Sequence, residues 1–314
     1  MVRYLIRRLL YAIPILIGVS LITFVLFYMS STPEQIARRN LSAKNASHEQ
    51  IVEWQKQHGY DKPLPEQFLK HMKQLLLFQF GKSDSLGGED IWTRIYTAAP
   101  TSFLIAALVF FSGLCAAICF ALALAYFRGT YIDYAGTFLC VLMMSIVYVV
   151  YIISGQFLFG KVLKYFPLAG WRSGWDSLRF AILPSMVGAL SGLGASVRLY
   201  RTFLLDEMSQ DYIRTARAKG VKEQRVLFVH VLKNAAVPIL TTVVAVIPQL
   251  FLGSILLESF FNIPGLGGWL FDAITNKDFA VVRAMVYLGT LMTILGYLLT
   301  DISYALVDPR VRLE

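Results

Sequence analysis

Charged and apolar residues alternate with helical spacing between residues 204 and 220 of an otherwise apolar sequence. Apolar side chains recur there at every fourth position: Leu204, Met208, Tyr212 and Ala216. This spacing predicts an apolar stripe along one side of a helix. Acidic residues lie in the first turns and Arg217 and Lys219 in the last, as the helix dipole favours, and Gly220 is typical of a helix end. The stretch therefore predicts a short amphipathic helix with one face to bury.

Two surfaces could bury that face. Anionic lipid would attract the basic residues of residues 211–233. A groove on a soluble partner could instead take the helix by its apolar side. Composition alone does not distinguish a lipid surface from a partner protein.

Residue spacings typical of bond chemistry are absent from the sequence. "GKS" at residues 81–83 lacks the first glycine of a phosphate-binding loop, since Leu76 stands at that position, so we predict no ATP site. Neither H-E-x-x-H nor G-x-S-x-G occurs. None of the four histidines has metal-ligand spacing, and they are His48, His58, His71 and His230. We expect the three in the outer segment, His48, His58 and His71, to be solvated. We predict no catalytic residue, cofactor or metal.

The composition is that of a membrane protein, with 56% hydrophobic and only 16% charged residues. Apolar runs of about 20 residues, enough to cross a bilayer, number six. They cover roughly 9–29, 101–126, 137–160, 181–199, 236–257 and 284–307. The first run is longer than a secretory-signal core and is followed by no small-x-small cleavage site, so it predicts a retained anchor. We expect an all-α, polytopic protein with six transmembrane helices.

The distribution of basic residues predicts the orientation. With the N-terminus inside, the inner segments hold most of the Lys and Arg of the short loops, and six spans return the C-terminus to the same side. The net charge of +9 then reflects topology and requires no nucleic acid. We expect a tail and first span at 1–30, an extracytoplasmic segment at 31–100, and a five-span core at 101–314 that includes a cytoplasmic segment at 200–235.

Two residues within predicted spans need an explanation. Pro248 removes a backbone donor midway through the fifth span and predicts a kink. Asp301 lies within the last span, where an unpaired charge would cost about 2.5–3.5 kcal/mol at the bilayer centre. We expect Asp301 to be paired or close to the interface.

The stretch "DYIRTARAKG" at 211–220, with Pro238 following 18 residues after its glycine, resembles the cytoplasmic signature of ABC-importer permeases of the oligopeptide, dipeptide and nickel branch. "GYDKPLPEQFLKHM", "FFNIPGLGGWLFDAITNKDFAVV" and "DISYALVDPRVR" are similar to other words of that family in the same order. The long segment after the first span resembles the B-type permease. Val147 stands where the family pattern has proline, and Arg179 where it has histidine, which questions local helix shape or substrate choice.

The resemblance implies a type I importer permease in the bacterial cytoplasmic membrane, with a C-type permease, two ATPase subunits and an extracytoplasmic substrate-binding protein as partners. It implies that the helix near residues 206–220 couples to an ATPase. The coupling residues implied are Met208, Asp211, Tyr212, Ala216, Arg217, Ala218, Lys219 and Gly220. Met208, Tyr212 and Ala216 would form the packed face.

A second loop is implied at the outer mouth of the pathway, below the docking site of the binding protein. It is "FNIPGLG", where a proline turn combines with permissive glycines, and its residues are Asn262, Pro264, Gly265 and Gly267. Peptides are the expected substrate, with nickel or another small solute as the alternative.

Two other classes of protein remain open at this point. A secondary transporter would require inverted repeats and ionisable groups in the spans. A membrane enzyme would require a catalytic motif that the sequence lacks.

Overall fold

The structure, a computed structural model, describes residues 2–30, 32–41, 47–83, 88–172, 174, 176–247, 250 and 253–307. In this part of the chain the secondary structure is helical, apart from an isolated β-bridge between Lys82 and Asp90. The prediction of an all-α protein is confirmed.

The helices fall into long membrane helices and short surface helices. They are α1 Val2–Ser30, α2 Pro33–Asn40, α3 His48–His58, α4 Leu64–Leu76, α5 Ile91–Tyr126, α6 Tyr131–Ser145, α7 Tyr148–Gly155, α8 Asp176–Met208, α9 Asp211–Ala218, α10 Glu223–Arg225, α11 Leu232–Val246, α12 Ile255–Phe260, α13 Leu266–Thr275 and α14 Phe279–Val307. A π-helical segment, Gln156–Val162, continues α7, and another, Val226–Val231, joins α10 to α11.

Five helical stretches of the described chain are long and apolar enough to cross a membrane: Leu10–Met29, Ile91–Tyr126, Asp176–Met208, Glu223–Val246 and Phe279–Asp301. A sixth span is formed if the bent pair Tyr131–Ser145 and Tyr148–Val162 counts as one. The six predicted spans match this arrangement, although α5 and α8 extend well beyond the predicted 101–126 and 181–199.

The third span is broken where the family pattern has proline. Its two helices meet at an angle of 96°. Val147 lies at the break with φ −67° and ψ 142°, and the hydroxyl of Tyr151 donates to the carbonyl of Met143 across it at 2.8 Å. The bend is therefore present without proline.

The fifth span differs from the prediction of 236–257. Its helix begins at Glu223 and ends at Val246, so it begins 13 residues before the predicted start, within the predicted cytoplasmic segment 200–235. A short separate helix, α12, then contains Leu257. The kink predicted at Pro248 lies outside the described residues.

The outer segment packs against the first and last spans. The side chain of Asp278 accepts from the Val281 amide at 3.2 Å in the first turn of α14 and also accepts the hydroxyl proton of Ser83, and both polar side chains are buried. His71 in α4 is 4% exposed and stacks on Phe24 of α1 with ring centroids 5.9 Å apart. The expectation that His71 is solvated is wrong, because α4 buries one face on α1.

Asp301 is paired, as expected. Its carboxylate lies 2.7 Å from the Arg8 guanidinium, so an ion pair joins the first helix to the last. Since α1 also packs along α14, the first and last helices lie side by side.

Two regions of the core lie at opposite ends of α5. Near its C-terminal end, Ala121 and Ala125 pack with Ile213 and Val226. Near its start, Ile91 packs with Trp269, and Ile105 packs with Leu257 and Phe261. Ile105 and Ala121 are 16 residues apart on α5, so the region around Ile105 lies about 24 Å along this helix from the region around Ala121. One end carries the predicted coupling residues and the other the predicted mouth loop.

Candidate functional sites

The predicted coupling helix is two helices. α8 continues to Met208, and α9 begins only at Asp211. Between them the amides of Ser209 and Gln210 bond back to the carbonyls of Asp206 and Glu207 at 3.3 and 3.2 Å, which closes the last turn of α8. Leu204 and Met208 therefore belong to the fourth span, and the prediction of one continuous amphipathic helix is wrong.

The buried residue of α9 is Ile213. It is 0% exposed and packs in one cluster with Leu204 of α8 and with Val226 and Leu227 at the start of the fifth span. Tyr212, which the four-residue spacing assigned to the apolar stripe, is 40% exposed. The sequence prediction missed Ile213. A single large aliphatic side chain in an otherwise mostly polar helix was the signal that could have identified it.

The other predicted coupling residues divide into two groups. Met208 and Ala216 are half-buried against the cluster around Ile213. The exposed group consists of Asp211, Tyr212, Arg217, Ala218, Lys219 and Gly220. Because Ile213 faces the core, α9 presents these exposed residues to the outside of the chain.

Polar contacts tie α9 to both neighbouring spans. The hydroxyl of Tyr212 donates to Glu207 at the end of α8 and accepts from the side-chain amide of Asn234 in α11 at 2.7 Å. Burial, followed by the hydrogen bond to Glu207, raises the pKa of Tyr212. This side chain thus connects the fourth span, α9 and the fifth span.

An ion pair makes a second link from α9 to the fifth span. The Nε of Arg217 donates to Glu223 at 3.0 Å, and this hydrogen bond raises the pKa of the Arg217 guanidinium. Between the third and fourth spans, Arg201 forms two 2.8 Å hydrogen bonds with the buried carboxylate of Asp133. Bidentate geometry fixes the relative orientation of the two groups.

Gly220 ends the coupling region in the way that the sequence predicts. Its φ is +76°, and its amide donates to the Arg217 carbonyl at 2.9 Å while the Val221 amide reaches the Ala216 carbonyl at 3.2 Å. A side chain at this position would meet nothing within 4 Å, so the backbone conformation is what favours glycine.

At the other end, the predicted mouth loop lies between α12 and α13. Asn262 and Pro264 are exposed, whereas Gly265 and Gly267 are buried. The loop is held from outside itself, because Gln156 donates to the Phe260 carbonyl at 2.9 Å and the Gly170 amide donates to the Phe261 carbonyl at 2.8 Å. The backbone directly before the two exposed residues is therefore held by hydrogen bonds from other segments.

The glycines of this loop are required for space. Gly265 has φ −109° and Gly267 lies in α13, so neither needs left-handed freedom; Asn262, with φ +51°, is the residue in that region. A Cβ at Gly265 would lie 2.3 Å from Glu258 Oε2, and one at Gly267 would lie 2.8 Å from the Ile255 amide nitrogen. The explanation from permissive glycines was therefore wrong.

The residue packed against Gly265 is Glu258, which the sequence analysis missed. Its side chain is 1% exposed in a helix otherwise rich in Leu, Ile and Phe. Burial raises the pKa of the Glu258 carboxyl, and hydrogen bonds from Gly268, Ser102, Gly267 and Ser254 act in the opposite direction. A carboxylate in an apolar run directly before a glycine-rich loop was the available signal.

Within the described ranges, no group of three His, Cys, Asp or Glu side chains could hold a metal ion. What the two regions do contain is a surface helix fastened to two spans and a loop fastened around a carboxylate.

The helices described above define a multi-pass α-helical membrane protein. Residues 117–313 match the family described as the inner membrane component of binding-protein-dependent transport systems, and residues 1–87 match its N-terminal region. The chain belongs to this family, and it is a multi-pass protein of the bacterial inner membrane.

Full-length relatives are similar to this chain. The oligopeptide transport system permease protein AppB of Bacillus subtilis (strain 168) is 32% identical, with 99% of each chain covered. The di/tripeptide transport system permease protein DppB of Pseudomonas aeruginosa (strain UCBPP-PA14) is 30% identical, again with 99% of each chain covered. The dipeptide transport system permease protein DppB of Lactococcus lactis subsp. cremoris (strain MG1363) is 30% identical over all of both chains.

Proposed function

We propose that this chain is the B-type permease subunit of an ATP-driven ABC importer and forms part of the translocation pathway for short peptides. The relatives named above are permeases for oligopeptides, di/tripeptides and dipeptides, which favours peptides over nickel or another small solute. Membership of a binding-protein-dependent family favours an importer over a secondary transporter.

The proposed assembly contains a C-type permease, two ATPase subunits and an extracytoplasmic substrate-binding protein. The ATPases hydrolyse ATP, since this chain has no phosphate-binding loop of its own. Both termini and α9 face the cytoplasm, and the outer segment at 31–100 faces the binding protein. Lipid surrounds the spans, on which many large apolar side chains are exposed, such as Phe111 and Phe138.

The observation that carries this proposal is the placement of α9. It lies between the fourth and fifth spans, with Ile213 fully buried between them and a polar, exposed side opposite. A partner that binds the exposed side and moves will displace both spans, because packed cores transmit displacement with little compression. The Tyr212 and Arg217 contacts stiffen the same connection.

The proposed cycle follows from that connection. Nucleotide-driven closure of the two ATPases draws α9 of each permease together, and α8 and α11 tilt with it. Tilting of the spans at one end opens the pathway to one side of the membrane and closes it to the other. The chain itself makes and breaks no bond.

A photocrosslinking amino acid at Thr215 tests whether α9 faces a protein. Thr215 is exposed on α9, between the half-buried Ala216 and Arg214, whose side chain is 74% exposed. We expect capture of an ATPase subunit in intact cells. The matched control is the same amino acid at Tyr96, which is 79% exposed near the opposite end of α5 and should capture no ATPase.

Capture of phospholipid alone from Thr215 would contradict the coupling role and support the lipid surface. The substrate is tested separately with the complex in proteoliposomes and its binding protein, by uptake of a radiolabelled dipeptide against radiolabelled nickel. Uptake driven by an ion gradient without the ATPases would contradict the importer itself.

A further inference from the structure

The glycine-rich loop leads into a helix whose N-terminus is capped by side chains from elsewhere in the chain. The N-cap of α13 is Gly265, which has no side chain to accept the first free amides. The Leu266 amide donates instead to Ser102 Oγ at 2.7 Å, and the Gly268 amide donates to Glu258 Oε2 at 3.0 Å. Gly267 also donates to Glu258.

The two capping side chains come from different helices and bond to each other. Ser102 lies in α5, and its hydroxyl hydrogen bonds to the Glu258 carboxylate of α12. Glu258 further accepts from the Ser254 amide at 3.3 Å. One buried carboxylate and one buried hydroxyl thus join α5, α12 and α13 at a single point, with four backbone amides as donors.

Glycines in the surrounding backbone make room for the two capping side chains. A Cβ at Gly253 would lie 2.2 Å from Glu258 Oε1, and a Cβ at Gly265 would lie 2.4 Å from Ser102 Oγ. Glycine at both positions therefore admits the carboxylate. Because an acceptor aimed at a helix N-terminus also meets the positive end of the helix dipole, Glu258 suits this position better than a neutral side chain.

We propose that Glu258 and Ser102 are positioning residues for transport: they hold the exposed Asn262 and Pro264 in one arrangement at the outer mouth, and the substrate-binding protein, docked above the loop, contacts that arrangement. This inference rests on the proposed function, since it requires a binding protein. Neither residue touches substrate, because both side chains are fully buried.

The physical reason is the entropy of docking. A loop that is already ordered loses little conformational freedom when a partner binds, whereas a loosened loop must be ordered at that moment. Loss of the cap therefore weakens docking and leaves the distant α9 region unchanged. A general folding defect would disturb both.

The test uses the assembled complex in proteoliposomes and titrates ATP hydrolysis with substrate-loaded binding protein. Glu258→Gln keeps the shape of the side chain but replaces one acceptor oxygen by an N–H donor facing the backbone amides. We expect its apparent KM for the binding protein to rise at least about fivefold, while hydrolysis without binding protein and at saturation stays within about twofold. Ser102→Ala should raise the KM in the same direction.

The double variant should be no worse than Glu258→Gln by more than about twofold, because both side chains act on one helix N-terminus. The matched control is Asp176→Asn, the same exchange of a carboxylate for an amide at an exposed residue outside both the mouth loop and residues 31–100, with an unchanged KM. An unchanged KM in Glu258→Gln, or an equal loss of basal hydrolysis, would overturn the inference. If Glu258→Gln prevents assembly, the KM of Ser102→Ala is the test, and an unchanged KM in that variant would overturn the inference.

Hydrogen exchange of the purified complex separates this inference from the proposed function. Exchange of the amides of residues 266–268 should be at least about tenfold faster in Glu258→Gln, and that of residues 211–218 unchanged. Unchanged exchange at 266–268 would contradict the positioning role. A wild-type complex that responds to no binding protein would contradict the proposed function instead, whatever the exchange data give.

Discussion

Gly220 shows how a single residue can form the turn that ends α9, the helix that we propose contacts an ATPase. Its φ of +76° is costly for any residue with a Cβ, and nothing within 4 Å would oppose a Cβ sterically. Gly220→Ala should therefore destabilise the turn after α9 by about 1 kcal/mol. We expect uptake to fall with assembly unchanged. The control is Gly192→Ala in α8, where a Cβ also meets nothing within 4 Å and the helix favours alanine, so that uptake and stability are kept.

His71 should make the protein sensitive to acid. Burial, followed by the charge of Arg283, lowers its pKa from 6.5 to about 3. Below about pH 6.5 the His71 imidazole is protonated in the unfolded chain but stays neutral in the folded chain. The free energy of unfolding therefore decreases as the pH falls, by about 2 kcal/mol at pH 5.

Thermal unfolding of the purified protein between pH 7 and pH 5 measures this effect. His71→Leu should remove most of the acid sensitivity and cost little at pH 7, since neither ring nitrogen has a hydrogen-bond partner among the described residues. His48→Leu leaves His71 in place and should keep the wild-type profile. Equal profiles for wild type and His71→Leu would contradict the burial argument.

Among the helices, the break in the third span predicts that proline is tolerated at Val147. Val147 has φ −67°, which is the angle that proline imposes, and Ile146 before it is extended at ψ 126°. Val147 is also 67% exposed, so its side chain makes few contacts to lose. Val147→Pro should be neutral or stabilising by about 0.4–1 kcal/mol, although it lies in a membrane span.

Thermal stability and yield of the purified protein decide that prediction. Val141→Pro is the matched control, because Val141 is also partly exposed but lies inside α6, where proline costs about 3 kcal/mol or more. A Val147→Pro variant as unstable as the control would show that the span is straight in the membrane.

The elements also show where sequence reasoning succeeds and where it fails. Apolar runs predicted the number of spans, because length and hydropathy suffice for that, but they did not predict where the second, fourth and fifth spans begin and end. The period-four stripe failed, since a helix advances about 100° per residue and a four-residue repeat drifts by about 40° each step. Leu204 and Ala216 would therefore point about 120° apart even on one helix. Ile213 is buried by residues of the neighbouring spans, and the sequence pattern of α9 alone gives no information about those spans.

The loop at the other end failed for a related reason. "FNIPGLG" was recognised from the family resemblance, but the role of Glu258 directly before it was not. The second capping side chain, Ser102, is 164 residues from Leu266 in sequence, so no local pattern shows the cap. The glycines were ascribed to backbone freedom when their small size is what matters. Contacts between distant segments give these residues their roles.

For the whole molecule, the Arg8 and Asp301 pair joins the first and last helices. Asp301→Asn should lower stability by about 1–2 kcal/mol, less than for a fully buried pair because 39% of the Arg8 side chain stays exposed. Exchanging the charges, Arg8→Asp with Asp301→Arg, should restore part of the loss. Thermal unfolding of the wild type and the two variants tests this, and a double variant no better than Asp301→Asn would contradict a direct pairing.

We propose that movement of the ATPases enters the molecule through α9 and reaches the spans through Ile213. The most direct measurement is the number of ATP molecules hydrolysed per peptide transported in proteoliposomes. Truncating a buried isoleucine removes about 2–5 kcal/mol of packing, so Ile213→Ala should raise that ratio at least about threefold, while Thr215→Ala on the exposed side keeps it. An unchanged ratio in an assembled Ile213→Ala complex would contradict the account.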